Sequence, residues 1–244
     1  MNFDRFPVVA AAGDSNVRSI FGTKMPHRFR AVSNAGKGEI DIYGVVGGDW
    51  FGGGITQQMV ADALRGMGSV SSIDININSP GGDVFEGRGI YNLLKASKAT
   101  KNIYVVAEAS SAASLIAMAG DKITMLEGSL MMIHRASGLA MGNVDDILRF
   151  AELLKTIDQT LVETYVSRTG NTEGDVRAWL DAETWMTAAE AKDRGFADVA
   201  ETGQKAAAMA QTPMALDRAR LGFKNMPAAL RPNRARALKL IGRR

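Results

Sequence analysis

The 244-residue chain contains no cysteine, so disulfides, thiol catalysis and cysteine-ligated zinc are excluded, a composition that suits a reducing cytosol. Histidine is nearly as scarce: His27 and His134 are the two present, which confines a histidine general base to two positions. Uninterrupted apolar stretches are lacking as well. The longest, Ile103 to Ala119, is broken by Glu108 and three serines, so no membrane span is expected. A secretory leader is not expected either, because the apolar patch Phe6 to Ala12 is preceded by Arg5 with Asp4 beside it. These absences point to the cytoplasm, and 46% hydrophobic composition is enough for a sizeable core in one or two domains.

The net charge of +3 hides a partition along the chain. Residues 205–244 carry ten Lys or Arg against one Asp, a net of +9, whereas residues 39–204 carry 13 basic and 23 acidic groups, a net of −10. Residues 1–38 hold six basic against two acidic groups. The division expected is a basic amino-terminal arm over 1–38, a domain over 39–204, and a basic tail over 205–244 in which Pro213, Pro227 and Pro232 limit long helices.

The arm shows no sustained period of 2 or 3.6 and has room for one short strand; His27, between Pro26 and Arg28, reads as a solvated loop residue. The domain then alternates. Glu39 to Val46 reads as a strand, Ile55 to Arg65 as a helix, Ile73 to Asn78 as a strand, and the segment after Ser79-Pro-Gly-Gly82 as a helix with Val84, Ile90, Tyr91 and Leu94 inward. Ile103 to Ala107 feeds a serine-rich turn and an Ala-rich helix ending at Gly120, followed by short strands at Lys122 to Met125 and Leu130 to His134. This order predicts an α/β core with a parallel sheet. Val144 to Arg168 is the longest helical pattern, with Ile147, Leu148, Ala151, Leu154, Ile157, Leu161, Val162 and Tyr165 on one stripe, long enough to serve either the core or a subunit contact. Shorter helices are expected near Glu173 to Leu180 and Ala188 to Arg194, and a last strand at Phe196 to Val199.

Candidate chemistry gathers at three places. A serine at a strand-to-helix turn stands at the mouth of a sheet, where the free N–H groups of the first helical turn can stabilise an oxyanion. Ser110, Ser111 and Ser114 occupy such a turn; as a plain structural feature Ser110 would cap the helix while the other two allow close packing. His134 closes a strand 23 residues after Ser111. Gly81 and Gly82, at the carboxyl end of another strand, allow close backbone approach to a ligand.

Four motifs, Asn78-Ser-Pro-Gly-Gly-Asp-Val84, Ala109-Ser-Ser-Ala-Ala113 running to Ala119-Gly120, Met132-Ile-His134, and Trp185-Met-Thr-Ala-Ala-Glu-Ala191 with Gly195 and Asp198, stand in an order that resembles the Clp protease proteolytic subunit family (ClpP) over about residues 39–200. The resemblance implies Ser111 as nucleophile, His134 as base, and backbone N–H groups of Gly82 and Ala112 as oxyanion donors. The family's aspartate, two positions before an aromatic residue, is here Glu183 before Trp185, with Asp181 as the alternative carboxylate. The fold implied is a ClpP/crotonase-like spiral of strand-helix units with a long protruding helix. A homo-oligomeric ring, stacked through that helix, is implied with it, and no cofactor or metal. The arm and the basic tail depart from the housekeeping subunit and make the chain similar to ClpP-related head maturation proteases of tailed bacteriophages and prophages. A serine endopeptidase acting on phage capsid or scaffold protein is therefore expected, in the host cytoplasm or the procapsid. A subunit serving an AAA+ unfoldase in general proteolysis, a catalytically silent ring-forming scaffold and a crotonase-type acyl-CoA enzyme are the alternatives.

Overall fold

The computed structural model describes residues 27–47 and 54–201. The first 26 residues of the expected arm and the whole basic tail lie outside the described residues, as do the glycine-rich residues 48–53.

Isoleucines at every second position build the centre. In β3 (Ser72–Ser79) Ile73, Ile75 and Ile77 point to one face, and Ile40 and Ile42 of β2 (Lys37–Tyr43) and Ile103 of β4 (Thr100–Ser110) join them, all essentially inaccessible to solvent. Each such isoleucine contributes about 1.5–3 kcal/mol through burial. Against them pack Val60 and Met67 of α1 (Gln57–Met67), Ile90 and Leu94 of α2 (Val84–Ala96), and Leu115 of α3 (Ala112–Ala117). The alternate positions are polar and pair across strands: Asn76 donates to Asp41 Oδ1 at 2.9 Å, and Asn102 donates to Asp74 Oδ1 at 2.7 Å.

The sheet runs β1-β2-β3-β4-β5-β8, with β1 at Arg28–Asn34, β5 at Lys122–Met125 and β8 at Val199–Ala200. Along this path the pairing is parallel except for the β1–β2 hairpin, and β1 is a strand within the expected arm. His27, expected in solvent, is 9% exposed instead, because the chain entering β1 is already drawn onto the sheet.

β4 is long enough to pair twice. Asn102 to Val105 run beside β5, and Glu108 to Ser110 run beside β6 (Leu130–Ile133), so the sheet branches along this one strand. β6 in turn pairs antiparallel with β7 (Thr184–Thr187), a four-residue strand that the helical pattern on either side had concealed. Three further helices complete the described chain: α4 (Val144–Thr169), α5 (Glu173–Asp181) and α6 (Ala188–Asp193).

α4 starts with a reciprocal cap between Asn143 and Asp146 and ends at Gly170 in the left-handed conformation. Its stripe divides in two. Ile157, Leu161, Val162 and Tyr165 are buried, whereas Val144, Ile147 and Leu148 are exposed, Val144 by 72%. The buried half is fastened by Phe196, which is fully buried with its ring 5.5 Å from that of Tyr165 and 6.0 Å from that of Trp179 on α5. Phe196→Ala should therefore lower stability by about 3–5 kcal/mol in chemical denaturation, the cost of emptying a buried aromatic site.

Candidate active site

At the end of β4 the chain reverses into α3 through Ser111, whose φ of 54° and ψ of −125° lie where non-glycine residues rarely go. Such a turn costs on the order of 1–3 kcal/mol and persists because its surroundings impose it. Ser111 N–H donates to Met132 O on β6 at 2.9 Å, and Ser111 O accepts from Ser114 N–H at 2.9 Å and from Ser114 Oγ at 2.6 Å. The Ser111 hydroxyl does not cap α3; it lies 2.8 Å from His134 Nε2.

The neighbouring serines are engaged elsewhere. Ser110 is fully buried and donates to Glu108 Oε1 at 2.8 Å. Ser114, also buried, uses its proton on Ser111 O, so Tyr165 must be the donor in their 2.9 Å contact. Burial of Tyr165 raises its pKa to about 12, which keeps that donor protonated. Of the three, Ser111 is the one that lines the cleft, a cavity of about 230 Å³ bounded also by Gly82, Ala112 and His134 and floored by Leu154, Ile157, Leu161 and Tyr165 of α4.

His134 reaches Ser111 through strand register. Ser110 lies beside Met132, and His134 follows two residues later, at the end of β6. Across the other edge Ile133 pairs with Thr184, so one further step of the same register sets Glu183 opposite His134. Glu183 is 9% exposed, adopts a left-handed φ of 49°, and accepts a bond from Trp185 Nε1 at 3.3 Å. Asp181 is placed differently: its side chain is 61% exposed and meets Arg135 Nη1 at 3.4 Å. Burial pushes the His134 pKa below its ordinary value, opposed first by the negative charge of Glu183 and then by that of Asp158.

The glycines of Ser79-Pro-Gly-Gly82 are required by space. Gly81 has φ 89°, and a Cβ there would come within 2.5 Å of Ser110 O and 2.8 Å of Ala112 N. The turn is tied down by Gly81 N–H to Ser79 Oγ at 3.1 Å and Val46 N–H to Gly81 O at 2.8 Å. Asp83 then caps α2 through Phe85 and Glu86 N–H. Gly82 thus reaches the cleft beside Ala112, whose N–H is the first of α3 and has no partner within that helix. Among the described residues no group of three or more His, Asp or Glu is placed to hold a metal ion, and no helix is long and apolar enough to cross a membrane.

The sequence left Ser110, Ser111 and Ser114 open at one turn, and the resemblance to the Clp protease family singled out Ser111, with His134 and Gly82. Neither could show why Glu183 faces His134, because that depends on β7, nor that Asp158 acts on the same ring; a carboxylate inside an apolar helical stripe was the available signal for Asp158.

A solved structure, a point mutant of ClpP1 from Listeria monocytogenes, matches with a TM-score of 0.59 at 24% identity, over 69% of this chain and 93% of that one. The molecule is thus a mixed α/β protein with the ClpP-like fold, carrying a serine and a histidine in contact at the carboxyl edge of its sheet. Residues 48–203 match the Clp protease family, and the chain belongs to that family. The ATP-dependent Clp protease proteolytic subunit of Bacteroides fragilis is 35% identical over 128 residues, 52% of this chain. The chain spans 62% of that relative's length.

The electrostatics can be tested directly. In NMR titrations of a Ser111→Ala background, His134 should titrate below an ordinary histidine. Glu183→Gln should lower it further, because the charge that favours the imidazolium is gone, while Asp181→Asn should leave it nearly unchanged.

Proposed function

We propose that the chain is a serine endopeptidase in which Ser111 is the nucleophile, His134 the general base and Glu183 its orienting carboxylate. The observation that carries this reading is the 2.8 Å contact between Ser111 Oγ and His134 Nε2 at a strained strand-to-helix turn. Ser111 Oγ attacks the peptide carbonyl carbon while its proton passes to His134 Nε2. The carbonyl oxygen becomes an oxyanion held by the N–H groups of Gly82 and Ala112. Collapse breaks the C–N bond, the amine leaves with the proton from His134, and water, deprotonated by the same ring, releases the acyl group from Ser111. A His134 pKa below the ordinary value keeps the base neutral, and so competent, down to mildly acidic pH.

Glu183 is one methylene longer than the family's aspartate, and it adopts a left-handed φ of 49°. A buried carboxylate opposite the histidine supports an active enzyme over a silent scaffold, and a serine in contact with a histidine supports acyl transfer to serine over crotonase-type enolate chemistry.

Assembly follows from α4. Ile147, Leu148, Leu139 and Met141 expose apolar surface at the start of α4 and in the loop before it, which a second copy of the chain would cover, giving a homo-oligomeric ring or stacked rings. The substrate we assign is phage capsid or scaffold protein during head maturation, in the host cytoplasm or the procapsid. This rests on the similarity of the enlarged ends, including the +9 tail, to head maturation proteases. General proteolysis with an AAA+ unfoldase is the second reading, favoured by the Bacteroides fragilis relative, which is named for an ATP-dependent protease.

Fluorophosphonate should label the wild-type protein at Ser111, and Ser111→Ala should abolish both labelling and peptide cleavage, a loss of several orders of magnitude. Mass spectrometry of a candidate phage capsid protein should show discrete cleavage by wild type and none by Ser111→Ala; an intact capsid protein, with cleavage appearing only when an unfoldase and ATP are added, would select the second reading. Leu148→Glu combined with Ile147→Asp should shift the particle to smaller species in light scattering while leaving the fold intact, because both side chains are exposed in the single chain.

A further inference from the structure

Asp158 is a carboxylate that the reaction as described does not use, yet it is 5% exposed in the middle of α4. Both its oxygens go to the residues immediately after His134. Oδ2 accepts from Arg135 Nε at 2.8 Å, and Oδ1 accepts from Ala136 N–H at 2.7 Å. A buried carboxylate must be compensated, and here that requirement is met only while residues 135 and 136 lie against α4. Arg135 is itself 55% exposed at its side chain and reaches on to Asp181, so one guanidinium joins α4, the exit of β6 and the end of α5. His134 therefore sits on a chain held on both sides: β6 pairs before it, and the Asp158 clamp grips after it.

We infer that Asp158 is a positioning residue for the peptidase reaction: by fixing Arg135 and Ala136 to α4 it holds His134 Nε2 against Ser111 Oγ, and it transmits any displacement of α4 to the base. The inference rests on the reading of Ser111 and His134 as nucleophile and base. The charge of Asp158 also acts on the ring, opposing the effect of burial second only to Glu183, while Ser111 Oγ contacts Nε2. Because α4 also carries the exposed apolar surface, the same clamp makes the alignment of the base sensitive to what covers that surface.

The test compares Asp158→Asn, Arg135→Gln and the double variant, each normalised to the number of sites that fluorophosphonate labels. Each single change should reduce kcat on the order of ten- to a hundredfold with KM nearly unchanged, the effect of a base displaced by a fraction of an ångström. The double variant should be no worse than the more damaging single, since both cut one clamp. A purely electrostatic role gives another pattern: loss of the carboxylate lowers the His134 pKa, loss of the guanidinium raises it, and kcat above the acid limb stays at the wild-type value. That result would overturn the positioning role, as would a lowered Tm with wild-type kcat per labelled site. If Asp158→Asn does not fold, Arg135→Gln decides alone, and wild-type kcat in it rejects the clamp. Should wild-type Ser111 fail to react with fluorophosphonate, the peptidase reading falls separately. The clamp is then judged on the His134 ring ¹⁵N shifts, which displacement in both variants would support and identity with wild type would refute.

Discussion

The 2.9 Å hydrogen bond from Ser111 N–H to Met132 O is the contact on which the rest of the site depends. It is the last rung of the β4–β6 pairing, and it forms after the chain has already left strand geometry for the turn. One backbone bond thus sets the serine's position and the height of β6 relative to it. From that height the histidine two residues on comes to hydrogen-bonding distance, and the antiparallel partner of β6 brings up the glutamate. Three residues separated by 23 and 49 positions are placed by ladder geometry, with precision that loops alone would not supply.

The second organising element is α4. Its carboxyl-terminal half floors the cleft through Ile157, Leu161 and Tyr165, and Tyr165 reaches beneath the serine turn to Ser114. Its amino-terminal half carries apolar side chains that are exposed, Val144, Ile147 and Leu148 among them. Arg88 on α2 grips the same helix through Thr164 Oγ1 at 2.8 Å and Thr160 O at 3.0 Å, a second polar fastening on the face away from Asp158. One helix therefore serves as wall, anchor and exposed surface.

Much of this was readable beforehand, for local reasons. The alternation Ile73, Ile75, Ile77 against Asp74, Asn76, Asn78 announces a strand with one buried face, and the heptad-like run from Ile147 to Tyr165 announces a helix. The serine turn and Gly81-Gly82 were legible because turns of that kind favour small or glycine residues, while the choice of Ser111 among the three serines came from the resemblance to the family. What escaped depends on contacts distant in sequence. β7 is four residues lying between two helices and takes its strand form from pairing with β6 rather than from its own composition. Without β7, nothing local distinguishes Glu183 from Asp181. The solvated histidine expected at position 27 failed for the same reason, since the hairpin that buries it is a pairing property. The Ala-rich helix expected to run to Gly120 is regular only to Ala117, after which short-range turn bonds such as Ala119 N–H to Ile116 O take over.

The left-handed backbone at Ser111 sets stability against chemistry. A side chain at φ 54° is held there against its own preference, and glycine would occupy the same conformation without that penalty. At this one position, therefore, backbone stability favours glycine while the proposed chemistry requires the hydroxyl. With the space beside it closed to any side chain at Gly81, the turn has little room to relax around the serine.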